Sequence, residues 1–406
     1  MRSPTLCNAL LATALVILPR VAAADVITDW NEKAAICIAQ VNQAPFVGTR
    51  TMAIVHTAMF DAVNSIEGGY APYKVKVPAA PGSSAEAAAA AAAHAALVKL
   101  FPDLKAMLDS EYAKSLSSLA DPGQAGGVAV GEKVAAEILA IRASDGAEAP
   151  NTYRPVTSPG VYVATTLPVA SQWAGVKPWA MEKCSQFRPG PPPALMGSEW
   201  ARDYNEIKTL GAKNSTSRTP EQTTIARFWT VTGPASWDAL VRQLAAAPGR
   251  KVIDNARLFA MVEMAAADAY ISIFDAKYTF NFWRPITAIR NGDLAGNKEV
   301  ARVDDWQPLV DTPMHPEYPC AHCITSAAVA TVLEAEFGTG TLPLSMTSPT
   351  APGVVRKWTT LKEYTDEVSA ARVYGGIHYR NSTLVGQAMG RKVGELVVHD
   401  YLTPSH

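Results

Sequence analysis

Cysteine and histidine are scarce in this chain, five and seven residues in 406. Cys320, His322 and Cys323 stand close together, but no second Cys/His pair lies at ligand spacing elsewhere, which speaks against a structural zinc. Charge is thin as well, at 18% of residues, with 36 basic against 37 acidic, and no basic stripe marks a nucleic-acid footprint. Several catalytic signatures are missing: there is no Gly-x-Ser-x-Gly elbow, no Walker loop and no His-Glu-x-x-His pair. Beyond the first twenty residues no run is long and apolar enough to span a membrane.

Those first residues read as an export signal. Arg2 gives a short basic start, Leu6 to Leu18 is apolar apart from Asn8 and Thr13, and Ala22-Ala23-Ala24 offers a small-residue cleavage site before Asp25. Cleavage removes Arg2 and Arg20 and no acids, so 34 basic residues face 37 acidic ones, a formal charge of -3. The expected product is secreted or periplasmic, with no membrane span. Four cysteines remain, Cys37, Cys184, Cys320 and Cys323; oxidising export suits a bridge, for which Cys37 with Cys184 is one option among three pairings.

Apolar residues recur at helical spacing through most of the chain. Ser83 to Glu86 has the pattern of a capping box opening an alanine-rich helix to about Leu100, and Thr219, Pro220 and Gln222 supply an N-cap, an N1 proline and its N3 partner. Further helices are expected near 30–44, 47–64, 104–119, 126–143, 197–210, 235–247, 253–277, 321–337, 360–372 and 382–402. The fold class is therefore all-α, a compact helical bundle. Its exception is 145–193, where nine prolines from Pro150 to Pro193 predict a long irregular surface segment, either a strap over the bundle or the roof of a pocket. The expected organisation is a signal at 1–24, a single domain over 25–406, and a motif-bearing core over 253–406.

The chemistry-bearing residues cluster in that core. Lys277 and Arg284 are seven apart, 20° short of two full helical turns at about 100° per residue, so one continuous helix would aim both cations the same way. Cys320, Ala321 and His322 open the apolar run to Phe337, where free N–H groups and the helix dipole favour an anion. Arg372 and His378 are six apart, and the intervening Gly375-Gly376 predicts a turn that lets both point into one site. Arginine offers a planar double donor to phosphate-like oxygens, and a neutral imidazole can attack or coordinate a central atom. His56 reads as a core histidine; His94, His399 and His406 carry no signal. His315 suits either a pocket entrance or a structural hydrogen bond.

Taken in order, Lys277-Tyr-Thr-Phe-Asn-Phe-Trp-Arg-Pro285, His315-Pro-Glu-Tyr-Pro-Cys-Ala-His322 and Arg372-Val-Tyr-Gly-Gly-Ile-His378 resemble the signature of the superfamily uniting vanadium-dependent haloperoxidases with type 2 phosphatidic-acid-phosphatase-like (PAP2) acid phosphatases. The context is similar to the bacterial secreted haloperoxidase-like branch. The resemblance implies that Lys277, Arg284, Cys320, Ala321 and Arg372 surround a vanadate, or a phosphate or other tetrahedral oxyanion. It makes His322 the acid/base residue, and His378 the ligand to vanadium or the nucleophile toward phosphorus. It further implies small-molecule substrates (hydrogen peroxide and halide, or a phosphate ester), with a homodimer an open option. Two positions depart from the pattern. Cys320-Ala321 replaces Ser-Gly, putting a thiol where a hydroxyl donor is usual and exposing it to peroxide. Ser382 replaces the Asp that often follows the histidine, leaving the tautomer of His378 to Asn381, Ser382 or a backbone carbonyl. Three functions follow as expectations: a vanadium haloperoxidase-like enzyme, a PAP2-type acid phosphatase working through a phosphohistidine, or a non-catalytic oxyanion-binding protein.

Overall fold

The computed structural model describes residues 25–119 and 121–405; the expected export signal lies outside them. Among the described residues run α1 (Val26–Gln40), α2 (Pro45–Glu67), α3 (Ala85–Leu100), α4 (Lys105–Leu119), α5 (Gln124–Arg142), α6 (Ser198–Leu210), α7 (Pro220–Phe228), α8 (Asp238–Ala245), α9 (Val252–Phe280), α10 (Pro285–Arg290), α11 (Ala321–Phe337), α12 (Leu361–Tyr374) and α13 (Arg380–Asp400). Strands β1 (Leu344–Ser348) and β2 (Ala351–Trp358) form one antiparallel hairpin with Leu344 opposite Trp358. The all-α expectation holds, and no described helix is long and apolar enough to cross a membrane.

The bundle is organised around α9. Its 29 residues span about 43 Å, and the helix is buried on every side from Phe259 to Lys277, as a helix apolar all round must be. Helix α2 packs on it, as do α11 and α13. Alanine lets α3 approach α2 and α5 closely at little entropic cost. The N-cap of α3 is Ser84, whose Oγ accepts from the Ala87 N–H at 3.2 Å. This lies one residue beyond the expected Ser83, because the Ser83 hydroxyl turns back to donate to the Ala80 carbonyl at 2.8 Å. The capping box of Thr219 and Gln222 forms as the sequence predicts.

Helices α11 and α13 meet through small residues. A Cβ at Gly390 would lie 2.2 Å from the Ile324 carbonyl oxygen, backbone that cannot step aside. Gly390→Ala is expected to cost about 2 kcal/mol through overpacking, read as a lower melting temperature by calorimetry.

A polar network is buried where α1, α2, α8 and α9 meet. Asn31 Nδ2 lies 3.0 Å from His56 Nε2 and donates to Asp238 at 3.4 Å, and the Trp237 indole donates to Glu263 at 3.0 Å. His56 is the core histidine the sequence suggested, stacked on Phe259. Burial, then the Asp238 carboxylate, pushes Glu263 well above the usual carboxylate range, so the pair shares a proton. With the folded value above the unfolded one, this stabilisation is fully present below the unfolded value and is lost as pH rises through the folded one. Glu263→Gln, permanently neutral, should therefore gain on the wild type as pH rises from about 5, by about 1 kcal/mol per pH unit, until the pair releases its proton. Denaturant titrations across a pH series measure it.

The proline-rich stretch from Asp145 to Pro193 contains only a 3-10 turn at Ser171–Gly175 and is otherwise irregular. Carboxylates of α9 fasten it down. Asp268 accepts the N–H groups of Trp179, Ala180 and Met181 at 2.7, 2.8 and 2.8 Å, and Asp275 takes a two-pronged grip from Arg188 at 2.7 and 2.6 Å. The segment is a strap, and at Val169 it is also a wall of the cavity described next.

Candidate active site

Lys277 sits in the last turn of α9, fully buried, and its ammonium donates to the carbonyls of Pro316 and Glu317 at 2.9 and 2.7 Å. The helix then stops at Asn281, which adopts the left-handed conformation at φ 48°. The Asn281 carbonyl accepts from Tyr162 at 2.8 Å, and the Trp283 N–H donates to Gly160 at 3.0 Å, so the strap takes over the chain's hydrogen bonds there. Lys277 and Arg284 thus do not share one continuous helix, contrary to the periodicity argument. Arg284 is instead the extended N-cap residue of α10. It still reaches the same place: its guanidinium donates to the carbonyls of His315 and Ile377 at 2.9 and 2.8 Å and faces His378 Nε2 at 3.2 Å.

Arg372 ends α12, and Gly375-Gly376 makes the predicted turn. Gly376 has φ 80°, and a Cβ there would lie 2.4 Å from the Gly211 carbonyl oxygen, so both conformation and space call for glycine. The chain folds back until the His378 N–H meets the Arg372 carbonyl at 3.4 Å. Both side chains, with Ala321, His322 and His315, line one cavity of about 540 Å³, walled otherwise largely by apolar residues including Phe46, Tyr270 and Phe274. Arg372 Nη1 donates to the Trp229 carbonyl while its Nε is buried without a protein partner. Burial, then Arg284, pulls Arg372 down to about 9; burial likewise takes Arg284 to about 10 and Lys277 well below the ordinary lysine range. Three crowded cations are under stress that a bound oxyanion would relieve.

The carboxylate facing them is Glu317, the residue that sequence reasoning missed. Its Oε1 lies 2.8 Å from His378 Nδ1 and accepts from the Tyr379 N–H at 3.1 Å. Arg284 can only donate, so His378 Nε2 must accept, and Nδ1 carries the proton given to Glu317. Burial, then Arg284, holds this imidazole well below the usual histidine range, so it is neutral with a lone pair on Nε2. Burial pushes Glu317 up to about 7 against the opposing pull of Lys277 and Arg284. The expectation that Asn381, Ser382 or a carbonyl sets the tautomer is corrected accordingly. Ser382 is an auxiliary, its hydroxyl 3.3 Å from Nδ1, while Asn381 points away to Glu199.

His322 stands in the first turn of α11, half-buried at the cavity wall, with Nε2 at 3.0 Å from the Val231 carbonyl. Burial, then Arg372, keeps it neutral; with Nε2–H donated to the carbonyl, Nδ1 is its basic nitrogen. Cys320 departs from expectation. Its sulfur is bridged to Cys323, its N–H is taken by the Ser382 carbonyl at 3.2 Å, and it does not line the cavity, so no thiol stands at the site. Cys37 and Cys184, the pairing considered from sequence, are free. His315 does both things suggested for it, lining the cavity and placing Nδ1 3.0 Å from Arg284 Nη2.

A buried imidazole held in one tautomer, Arg372 and the first turn of α11 meet at one cavity, with Arg284 behind His378 and Lys277 on the carbonyls of Pro316 and Glu317. Residues 257–404 match the family described as VCPO second helical-bundle domain. Vanadium chloroperoxidase of Curvularia inaequalis is 29% identical over 172 residues, 35% of this chain and 28% of that protein, so the match spans little more than a quarter of that relative's length. A bacterial vanadium-dependent iodoperoxidase superposes with a TM-score of 0.81 at 23% identity, over 94% of this chain and 98% of its own. An apo bacterial vanadium-dependent chloroperoxidase gives 0.73 at 17%, over 88% and 93%. Residues 257–404 are thus similar to that family's second helical-bundle domain, and the chain shares the fold of the bacterial vanadium-dependent haloperoxidases.

Proposed function

We propose that this chain is a vanadium-dependent haloperoxidase-like enzyme that oxidises halide with hydrogen peroxide. The observation that carries the reading is His378, neutral, anchored through Nδ1 on Glu317 and presenting the Nε2 lone pair among Lys277, Arg284 and Arg372. The residues fit a vanadate: His378 Nε2 would bond the metal, and Lys277, Arg284, Arg372 and the first-turn N–H of Ala321 would hold its oxygens. The unpartnered Nε of Arg372 is one donor awaiting such an acceptor. Vanadate, when bound, supplies a Lewis-acid centre at which peroxide becomes reactive toward halide.

The protein's own work is electrostatic and protonic. Fixed cations offset the anion's charge without reorganisation. His322 takes a proton from incoming peroxide at its basic nitrogen and returns it to the departing oxygen. The apolar walls around Phe46 and Phe274 limit water at the site and strengthen each charge interaction. The same reading treats 25–406 as one domain with 253–406 as its motif-bearing core, exported after removal of 1–24; the Cys320–Cys323 bridge supports an oxidising destination.

Glu317 also favours a second reading. A carboxylate on Nδ1 is what a nucleophilic histidine requires, and Glu317 supplies it where Ser382 replaces the Asp. One preparation assayed with and without orthovanadate separates the two. Vanadate-dependent bromination or iodination of a phenolic dye with peroxide supports the peroxidase; vanadate-inhibited hydrolysis of an aryl phosphate supports the phosphatase and overturns it.

A further inference from the structure

The Cys320–Cys323 bridge lies between the two histidines of the site. Cys320 is the N-cap of α11 and Cys323 its third residue; the Cys320 sulfur accepts the Cys323 N–H at 3.2 Å, and the loop so closed contains only Ala321 and His322. Both cysteines have no exposed surface. On the other side, the Cys320 N–H donates to the Ser382 carbonyl at 3.2 Å, and the Ser382 hydroxyl lies 3.3 Å from His378 Nδ1. A Cβ at Gly386 of α13 would come within 2.7 Å of the Cys320 carbonyl oxygen and 3.1 Å of the Cys323 Cβ, so α13 rests directly on the bridged turn.

We propose that the Cys320–Cys323 bridge is a redox-dependent positioning clamp. It fixes the first turn of α11, and with it Ala321 and His322, in register with the His378 segment. The inference rests on the oxyanion-site reading above. Opened, the two thiols leave the turn held only by its backbone hydrogen bonds. With the turn loosened, peroxide, the co-substrate, enters past the cavity-lining Ala321 and His322 and closes it again: one thiolate attacks a peroxide oxygen, giving a sulfenic acid with loss of hydroxide, and the second thiol displaces water from that sulfur. Two thiols and one peroxide thus become one disulfide and two waters, the sulfurs losing the two electrons that peroxide gains. The closed bridge also withholds both sulfurs from further oxidation at a peroxide-fed site.

The test uses the full exported chain and needs no turnover. Wild-type protein is reduced with a phosphine, desalted, and titrated with orthovanadate by calorimetry, while the His322 ring is followed by NMR across pH. Reduction should weaken vanadate binding about ten-fold and move the His322 titration upward toward that of an ordinary histidine; one equivalent of peroxide should restore both. The Cys320→Ser/Cys323→Ser double variant, which keeps an N-cap hydroxyl, should behave like reduced protein and ignore both reagents. Cys37→Ser/Cys184→Ser should retain the full response. Unchanged binding and unchanged His322 titration in the reduced protein and the double variant, whatever happens to the melting temperature, overturn the clamp. Native protein in which alkylation finds Cys320 and Cys323 as thiols overturns it too. A chain that oxidises no halide defeats the proposed function but leaves this test readable, and if vanadate does not bind, the His322 titration decides.

Discussion

Alanine at His378 is expected to lower vanadate-dependent halide oxidation about a thousand-fold or more, the scale on which a preorganised contact to the reacting centre acts. Its Nε2 is the nitrogen aimed toward the cations; it carries no proton of its own and accepts from Arg284 at 3.2 Å, a bond that a central atom on Nε2 would replace. Orthovanadate affinity should fall with turnover, because the proposed bond from Nε2 is lost while the three cations remain. Loss of fold is not the expected cause: Glu317 keeps the Tyr379 N–H, and Arg284 keeps the carbonyls of His315 and Ile377. Added imidazole, able to enter the 540 Å³ cavity, should restore a measurable fraction of binding. A variant retaining a tenth of wild-type turnover would remove His378 from its assigned place.

The second large effect is expected at Glu317. Glu317→Gln keeps the shape but can present an amide N–H to Nδ1, which moves the imidazole proton to Nε2 and blocks the nitrogen that binds. Oxyanion affinity should drop about 10–100-fold, as for other carboxylates that orient a metal-binding histidine. Two further readouts distinguish this from a packing defect. Burial sets Glu317 at about 7, so the wild type carries a pH dependence of binding near neutrality that the variant lacks. The variant also leaves Lys277 and Arg284 without their facing carboxylate. Its melting temperature should fall without an anion and recover in saturating orthophosphate. Binding equal to wild type across pH 6 to 8 would mean that something else sets the tautomer.

Much of this site could be read before the fold was seen, and the reason differs from residue to residue. Arg372 and His378 were readable because the intervening Gly375-Gly376 announces a turn by local chemistry alone. The α11 start at Cys320 was readable for the same reason, a proline-restricted stretch running into an apolar helix. Lys277 and Arg284 come near each other by another route than the one expected. Periodicity put them on one helix, whereas Asn281 breaks that helix and the strap at Gly160 and Tyr162 redirects the chain. Glu317 escaped because the partner of His378 was sought within a few residues of it. The true partner lies 61 positions upstream, and a tertiary contact leaves no local spacing to read. One signal was present: a lone carboxylate in an otherwise uncharged run from Met314 to Leu333. The bridge was missed by the opposite error, in which two distant cysteines were preferred over neighbours three apart.

The fastening of the strap carries a separate consequence. Asp268 and Asp275, which hold it, lie about three turns and about one turn before Phe280 and on the same helix as Lys277, yet their carboxylates bond the strap and not the cation row. The strap is also bonded beside the residues that carry the charges: the Val169 N–H donates to the Met314 carbonyl next to His315, and the Tyr278 hydroxyl next to Lys277 donates to the Val169 carbonyl. Wall and chemistry therefore hang from one beam and are stitched together, so a change in what the cavity admits at Val169 is felt at the charged residues as well.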